Sequence, residues 1–248
     1  MPHSTMLLAH LGIYLILLPT FLSADIPVWR ADNYPHPRNQ YVLCKQNKPE
    51  WLCDPDGLLD NNAKDILNLV LEEMNVKYTL CPCSAWVCEN NSGGYYTSVI
   101  LAKKIETGSN TSQIAILNNA INFVSSLDQR WSFNEERCEE GIILFYSRDD
   151  NTLLTYSGKT ARKVLTLELI KEITEKAGQH FLPDENISVG LLKMVGDIRQ
   201  VLNNHYVPQS KHLGGEELIG STIRPLPYIF LHLFLLVLSV TLFSFLGN

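Results

Sequence analysis

The chain has 248 residues and a formal net charge of −6, and every Lys, Arg, Asp and Glu lies between Asp25 and Arg224. An acidic balance argues against nucleic acid and anionic lipid as binding partners. The roughly 200 residues between the charge-free ends suffice for one domain with a buried core.

Residues 1–24 read as a signal peptide. Leu7–Leu22 is mostly apolar, Pro19 breaks it, and Ser23-Ala24 offers a small-residue cleavage site. Its first region holds His3 and His10 but no Lys or Arg, so the positive flank rests on the amino terminus; an uncleaved anchor is the other reading. Residues 25–52 form a segment rich in Pro and aromatic residues (Trp29, Tyr34-Pro35, His36-Pro37, Trp51), where regular structure is not expected up to Pro49.

The domain is expected over residues 53–205, opening at the turn Cys53-Asp54-Pro55-Asp56-Gly57. Asp60 is placed to cap a helix to about Met74, with Ala63, Ile66, Leu67, Val70 and Met74 on one face. A cysteine-bearing loop follows, then a β-branched and aromatic strand, Tyr95–Ala102, closed by Lys103-Lys104. A second helix from Thr111 or Ser112 to about Leu127 carries two apolar stripes: Ile114, Leu117, Ile121 and Val124, and Ile116, Ala120, Phe123 and Leu127. Gly141–Ser147 is apolar enough for a strand covered on both faces. Arg148–Asn151 turns it into a partner strand, Thr152–Tyr156, as a hairpin. Thr166 begins a third helix through Leu167, Ile170, Ile173 and Ala177, stopped at Gly178. Asp184 is expected to start a fourth, with Val189, Leu192, Val195 or Gly196, and Leu202 on its face. The fold class that follows is α/β, a mixed sheet flanked by helices in a disulfide-bonded ectodomain.

Residues 206–228 read as a juxtamembrane stalk. Ile229–Leu246 has no polar face, and its 18 residues make a helix of about 27 Å, at the short end for a bilayer span. No cation follows it, which a type I span would want. A GPI signal fits equally, with Gly220-Ser221-Thr222 as the small-residue site and a somewhat short spacer. Both readings put the ectodomain outside the cell at the membrane.

Six cysteines, Cys44, Cys53, Cys81, Cys83, Cys88 and Cys138, suggest three disulfides behind a signal peptide. The spacing favours Cys44–Cys53, a bond from Cys88 to Cys81 or Cys83, and the remaining one of that pair to Cys138. A zinc site at Cys81, Cys83 and Cys88 is disfavoured, because no His lies near and C-x2-C pairs are missing. Sequons mark Asn90, Asn110 and Asn186 for glycosylation.

No nucleophile, Walker or HExxH pattern is present. The seven His residues are scattered along the chain, and none is assigned to catalysis. Asp54, Asp56, Asp149 and Asp150 are the candidate metal ligands, since Ca²⁺ takes carboxylate oxygens. Asp also favours turns for backbone reasons, and that reading is preferred, so no cofactor is expected. Tyr95-Tyr96 and Trp131 are candidates for partner contacts or for core filling.

Several of these motifs together resemble one family. Cys53-Asp54-Pro55-Asp56-Gly57-Leu58-Leu59, a helix, then Cys81-Pro82-Cys83 before a Val-Ile-Leu-Ala strand, is similar to the modulator-of-levamisole-receptor proteins. Tyr34-Pro35-His36-Pro37-Arg38 resembles their opening motif, with His36 where Asn is usual. Gly141–Tyr146, Ser147-Arg148-Asp149-Asp150 and Tyr156-Ser157-Gly158 resemble the core of the wider TPM domain, and the likeness runs from about Trp29 to Leu202. It implies a TPM-like α/β domain acting as a non-enzymatic auxiliary subunit, with a pentameric ligand-gated ion channel of acetylcholine-receptor type as partner. TPM domains elsewhere have been linked to phosphatase activity, so a metal-assisted phosphatase is the alternative, and a surface adhesion or structural glycoprotein is the third reading. The chain departs from the type I plan in lacking a basic cytosolic tail.

Overall fold

The structure, a computed structural model, describes residues 28–84, 88, 94–109, 111–131, 138–182, 185–204 and 221–222. The signal segment 1–24, the tail 229–246, most of the stalk, Asn90 and Asn110 lie outside these residues. Among the described residues no helix is long and apolar enough to cross a membrane.

The elements in chain order are β1 (Leu52–Cys53), α1 (Asn61–Glu73) running into a π-turn (Met74–Tyr78), β2 (Thr97–Ala102), α2 (Gln113–Trp131), β3 (Ile142–Ser147), β4 (Thr152–Ser157), a single turn α3 (Lys159–Arg162), α4 (Leu167–Ala177) with a 3-10 turn (Gly178–Phe181), α5 (Ile187–Leu202) and β5 (Ser221–Thr222). The strands lie in the order β1-β2-β3-β4-β5. β1, β2 and β3 are parallel, and β4 and β5 are antiparallel to their neighbours, with Thr97 beside Ile142 and Ile142 beside Ser157. Parallel neighbours need crossovers, which α1 and α2 supply; the antiparallel β3–β4 pair closes through the short turn Arg148–Asn151, with Asn151 at φ 47°. This is the expected α/β class, a mixed sheet flanked by helices.

Strand side chains alternate between two cores. Val99, Leu101, Ile142, Leu144, Tyr146 and Leu153 face α1, α4 and α5. Ile100, Ala102, Ile143, Phe145 and Leu154 face α2 and the N-terminal segment around Tyr34. β3 is buried along its whole length, as a continuous apolar run predicts. Asn75 extends the β2 edge with a side chain, since its amide donates to the Thr97 carbonyl at 3.0 Å and accepts from the Thr97 N–H at 2.8 Å.

The helix ends follow their caps. Asp60 accepts from the Ala63 N–H at 2.8 Å, and Thr166 caps α4 through the Leu169 N–H. Elsewhere the expectations are corrected. α1 buries Leu67 and Leu71 together with Lys64 and Asn68, while Ile66 points out; α5 packs against this helix and selects the face. α2 continues to Trp131 and leaves Ile114 exposed. α5 starts at Ile187, capped by Asn186 rather than Asp184, and buries Leu191, Met194, Val195 and Ile198 with Val189 outward. Strand β1, the turn α3 and the pairing of Ser221–Thr222 were not anticipated. The N-terminal segment, although largely irregular, is packed into the second core, with Tyr34 fully buried.

Candidate interaction surface

The carboxyl ends of β1, β2 and β3 converge at one edge of the sheet, where ligands commonly meet open α/β folds. Each strand delivers charged residues there: Asp54 and Asp56 after β1, Lys103 and Lys104 after β2, Arg148–Asp150 after β3. Two carboxylates tie these exits together. Asp56 accepts from the Trp29 indole N–H at 2.9 Å and from the Lys103 backbone N–H at 2.5 Å. Buried Asp150 accepts from the Ser147 hydroxyl at 2.5 Å and the Ile105 N–H at 2.8 Å, and Lys104 pairs with it at 3.3 Å. Backbone bonds from Arg148 to Ala102 and from Asp149 to Lys103 complete the edge.

Asp54 is engaged differently. It is fully buried, caps the turn by accepting from the Leu58 and Leu59 N–H groups, and forms an ion pair with buried Lys64 at 3.2 Å. Asp149 is exposed and pairs with Arg148 at 2.8 Å. This ion pair raises the Arg148 guanidinium above its ordinary value. The four candidate metal ligands are thus divided among separate backbone and cation partners. Among the described residues, the group of His, Cys or acidic side chains with ligand atoms close together is Cys83, Cys138 and Glu140 instead.

The sulfurs of that group are already bonded. The disulfides are Cys44–Cys53, Cys81–Cys88 and Cys83–Cys138, so Cys81 and Cys83 take different partners across Pro82. The zinc alternative at Cys81, Cys83 and Cys88, disfavoured by the sequence, has no thiolate to use, because each of these sulfurs is in a disulfide. Glu140 lies fully buried beside the Cys83–Cys138 bridge and accepts from the Cys138 N–H at 3.0 Å. Nearby Asp128 is raised above the usual carboxylate range by burial and by the Glu139 and Glu140 charges.

The aromatic candidates resolve as packing. Tyr95 and Trp131 are buried, and Tyr96 stacks on Trp51 with ring centroids 5.1 Å apart. Arg38 lies over the Trp51 ring, 4.5 Å from its centre. His36 packs against Trp131, and its Nδ1 accepts from the Arg38 and Asn39 N–H groups. Burial, with Arg130 and Arg38 nearby, lowers its pKa to about 4. Asn186 is exposed at the start of α5; its carbonyl oxygen accepts from the Ser188 N–H and hydroxyl, while a glycan would join the amide nitrogen.

Sequence reasoning missed Trp29, Lys103 and Lys104 as parts of this edge. The two lysines carried a signal, since charged residues directly after a strand mark its exit, but nothing local places Trp29 beside Asp56.

A search of the curated proteins finds no match to this sequence. Among solved structures the chain is similar to the solution NMR structure of the N-terminal domain of a protein from P. gingivalis, with 16% identity and a TM-score of 0.48, covering 76% of this chain and 100% of that one. A family model described as modulator of levamisole receptor-1 matches residues 29–151, a shorter stretch than the motif order suggested. That stretch holds the Tyr34 segment, all six cysteines, both crossovers and the whole charged edge through Asn151. The chain belongs to the modulator of levamisole receptor-1 family.

Proposed function

We propose that this chain is a membrane-tethered accessory protein whose extracellular domain modulates a ligand-gated ion channel of acetylcholine-receptor type. The match of residues 29–151 to the modulator of levamisole receptor-1 family carries this reading. Three disulfides support an oxidising, extracellular setting. On this reading the protein acts by binding rather than by catalysis, with Asp54, Asp56 and Asp150 each engaged by backbone N–H groups. Modulation follows when the domain binds one receptor state better than another, and a preference of about 1–3 kcal/mol changes apparent agonist affinity roughly 5- to 150-fold.

Co-expression with a levamisole-sensitive receptor, with agonist dose–response currents recorded, tests the proposal. A shifted midpoint or changed maximal current is expected, together with co-purification. Unchanged currents across a panel of such receptors, with the protein shown at the cell surface, would overturn it.

A further inference from the structure

The sheet's last strand indicates how the domain stands on its membrane. β5 pairs antiparallel with the start of β4, Ser221 beside Leu153 and Thr222 beside Thr152. The chain therefore passes from the level of Leu153 to that of Thr152 and leaves the sheet at the Arg148–Asn151 turn. That is the edge at which β1, β2 and β3 deliver Asp56, Lys103, Lys104 and Arg148. Only residues 223–228 separate Thr222 from the apolar run Ile229–Leu246. Seven Cα steps can reach at most about 25 Å.

We infer that the charged edge is the membrane-facing end of the domain, held within that reach of the bilayer and resting on the zwitterionic headgroup layer. The inference rests on the reading of Ile229–Leu246 as a membrane-inserted segment. The charges at the edge suit this surface. Exposed Arg148 pairs with exposed Asp149, while the Lys104 ammonium pairs with buried Asp150, so both signs stand side by side at the surface where Arg148 meets Asp149, as phosphate and choline do. A one-signed patch would favour an oppositely charged partner instead. The other end of the hairpin, with exposed Lys159 paired to Glu139, stands about 17 Å farther along the six-residue strand β4. Membrane contact at the first end leaves the second free for solvent or a partner protein.

Photo-crosslinking of the full-length protein in phosphatidylcholine vesicles tests this. The variants are Arg148→p-benzoylphenylalanine and Lys159→p-benzoylphenylalanine, both at exposed positions, each first checked for flotation with the vesicles. Lipid adducts at position 148 at least fivefold above those at 159 are expected. A 20-residue Gly-Ser insertion after Arg224 should erase the difference. Equal labelling, or more at 159, in a protein that floats overturns the orientation alone. Crosslinks from 148 to protein in place of lipid, once a receptor is added, overturn the choice of headgroups as the contact. A protein that does not float overturns the anchoring reading and this inference with it.

Discussion

On one face of the sheet three helices, α1, α4 and α5, supply the cover; on the other, α2 shares that role with an irregular segment around Tyr34. The helical side satisfies its backbone internally and meets the sheet mainly with Leu, Ile, Val and Met. The irregular side has no such ladder, so its polar groups need individual partners. The Tyr34 hydroxyl bonds the carbonyls of Cys53 and Leu101, the Arg130 guanidinium reaches the carbonyls of Asp32 and Tyr34, and the Cys44–Cys53 bridge pins the segment to β1. Burial pushes the Tyr34 phenol well above its ordinary value, with the Asp54 charge adding to the effect, so it remains a donor at any physiological pH. Loop backbone can serve as a core layer when specific donors and acceptors replace the regularity of a helix.

The largest effect should come from the polar exception on the helical side. Lys64→Met strands the buried Asp54 carboxylate, and a loss of about 3–5 kcal/mol is expected in urea unfolding. The double variant Lys64→Met with Asp54→Asn should recover part of it; no recovery would show that Lys64 matters through packing rather than charge. Next, Tyr34→Phe keeps the ring and removes the hydroxyl, leaving two strand carbonyls without it. A loss of about 1–2 kcal/mol is expected by the same assay, and a neutral result would break the contrast between the faces. His36 gives a smaller, pH-dependent effect, because the half-buried ring is partly screened. Its folded pKa of about 4 lies below the ordinary 6.5, so the neutral ring is favoured by folding. Its contribution is present above about 6.5 and fades as pH falls toward 4; in His36→Gln that part of the stability–pH slope should vanish. Smallest of all, Lys159→Ala removes an exposed pair and should shift stability by less than about 0.5 kcal/mol. A larger value would mean the far end of the hairpin is tied more firmly than its exposure implies.

The same contrast explains what could be read in advance. The helical face was legible because caps and periodicity are local: Asp60 and Thr166 mark their helices, and the apolar run at Ile142 marks the central strand. Where local signals tie, packing decides. α1 carries Ile66, Leu69 and Val70 on one side and Leu67 and Leu71 on another, and packing against the sheet and α5 selects between them. Asp184 and Asn186 are both good caps two residues apart, and the fold uses the second. The irregular face was hidden, because a Pro-rich stretch shows no period and its contacts reach across the chain, from Tyr34 to Leu101. The charged edge was half legible. Its aspartates were singled out as a possible ligand set, and their use in tying one strand exit to the next becomes visible only with the strands side by side.

The Cys83–Cys138 bridge bears on the order of folding events. It closes a ring across a sequence separation of 55 that contains β2 and α2 and ends just before β3. Parallel pairing of β2 with β3 is a distant encounter along the open chain, and such encounters slow folding. Once the bridge exists, the search is confined to a closed loop, and the loop-entropy relation assigns about 4 kcal/mol to that confinement. The oxidised chain therefore approaches its central crossover as a nearly local step, and a chain that reaches the same stage reduced must close that crossover unaided.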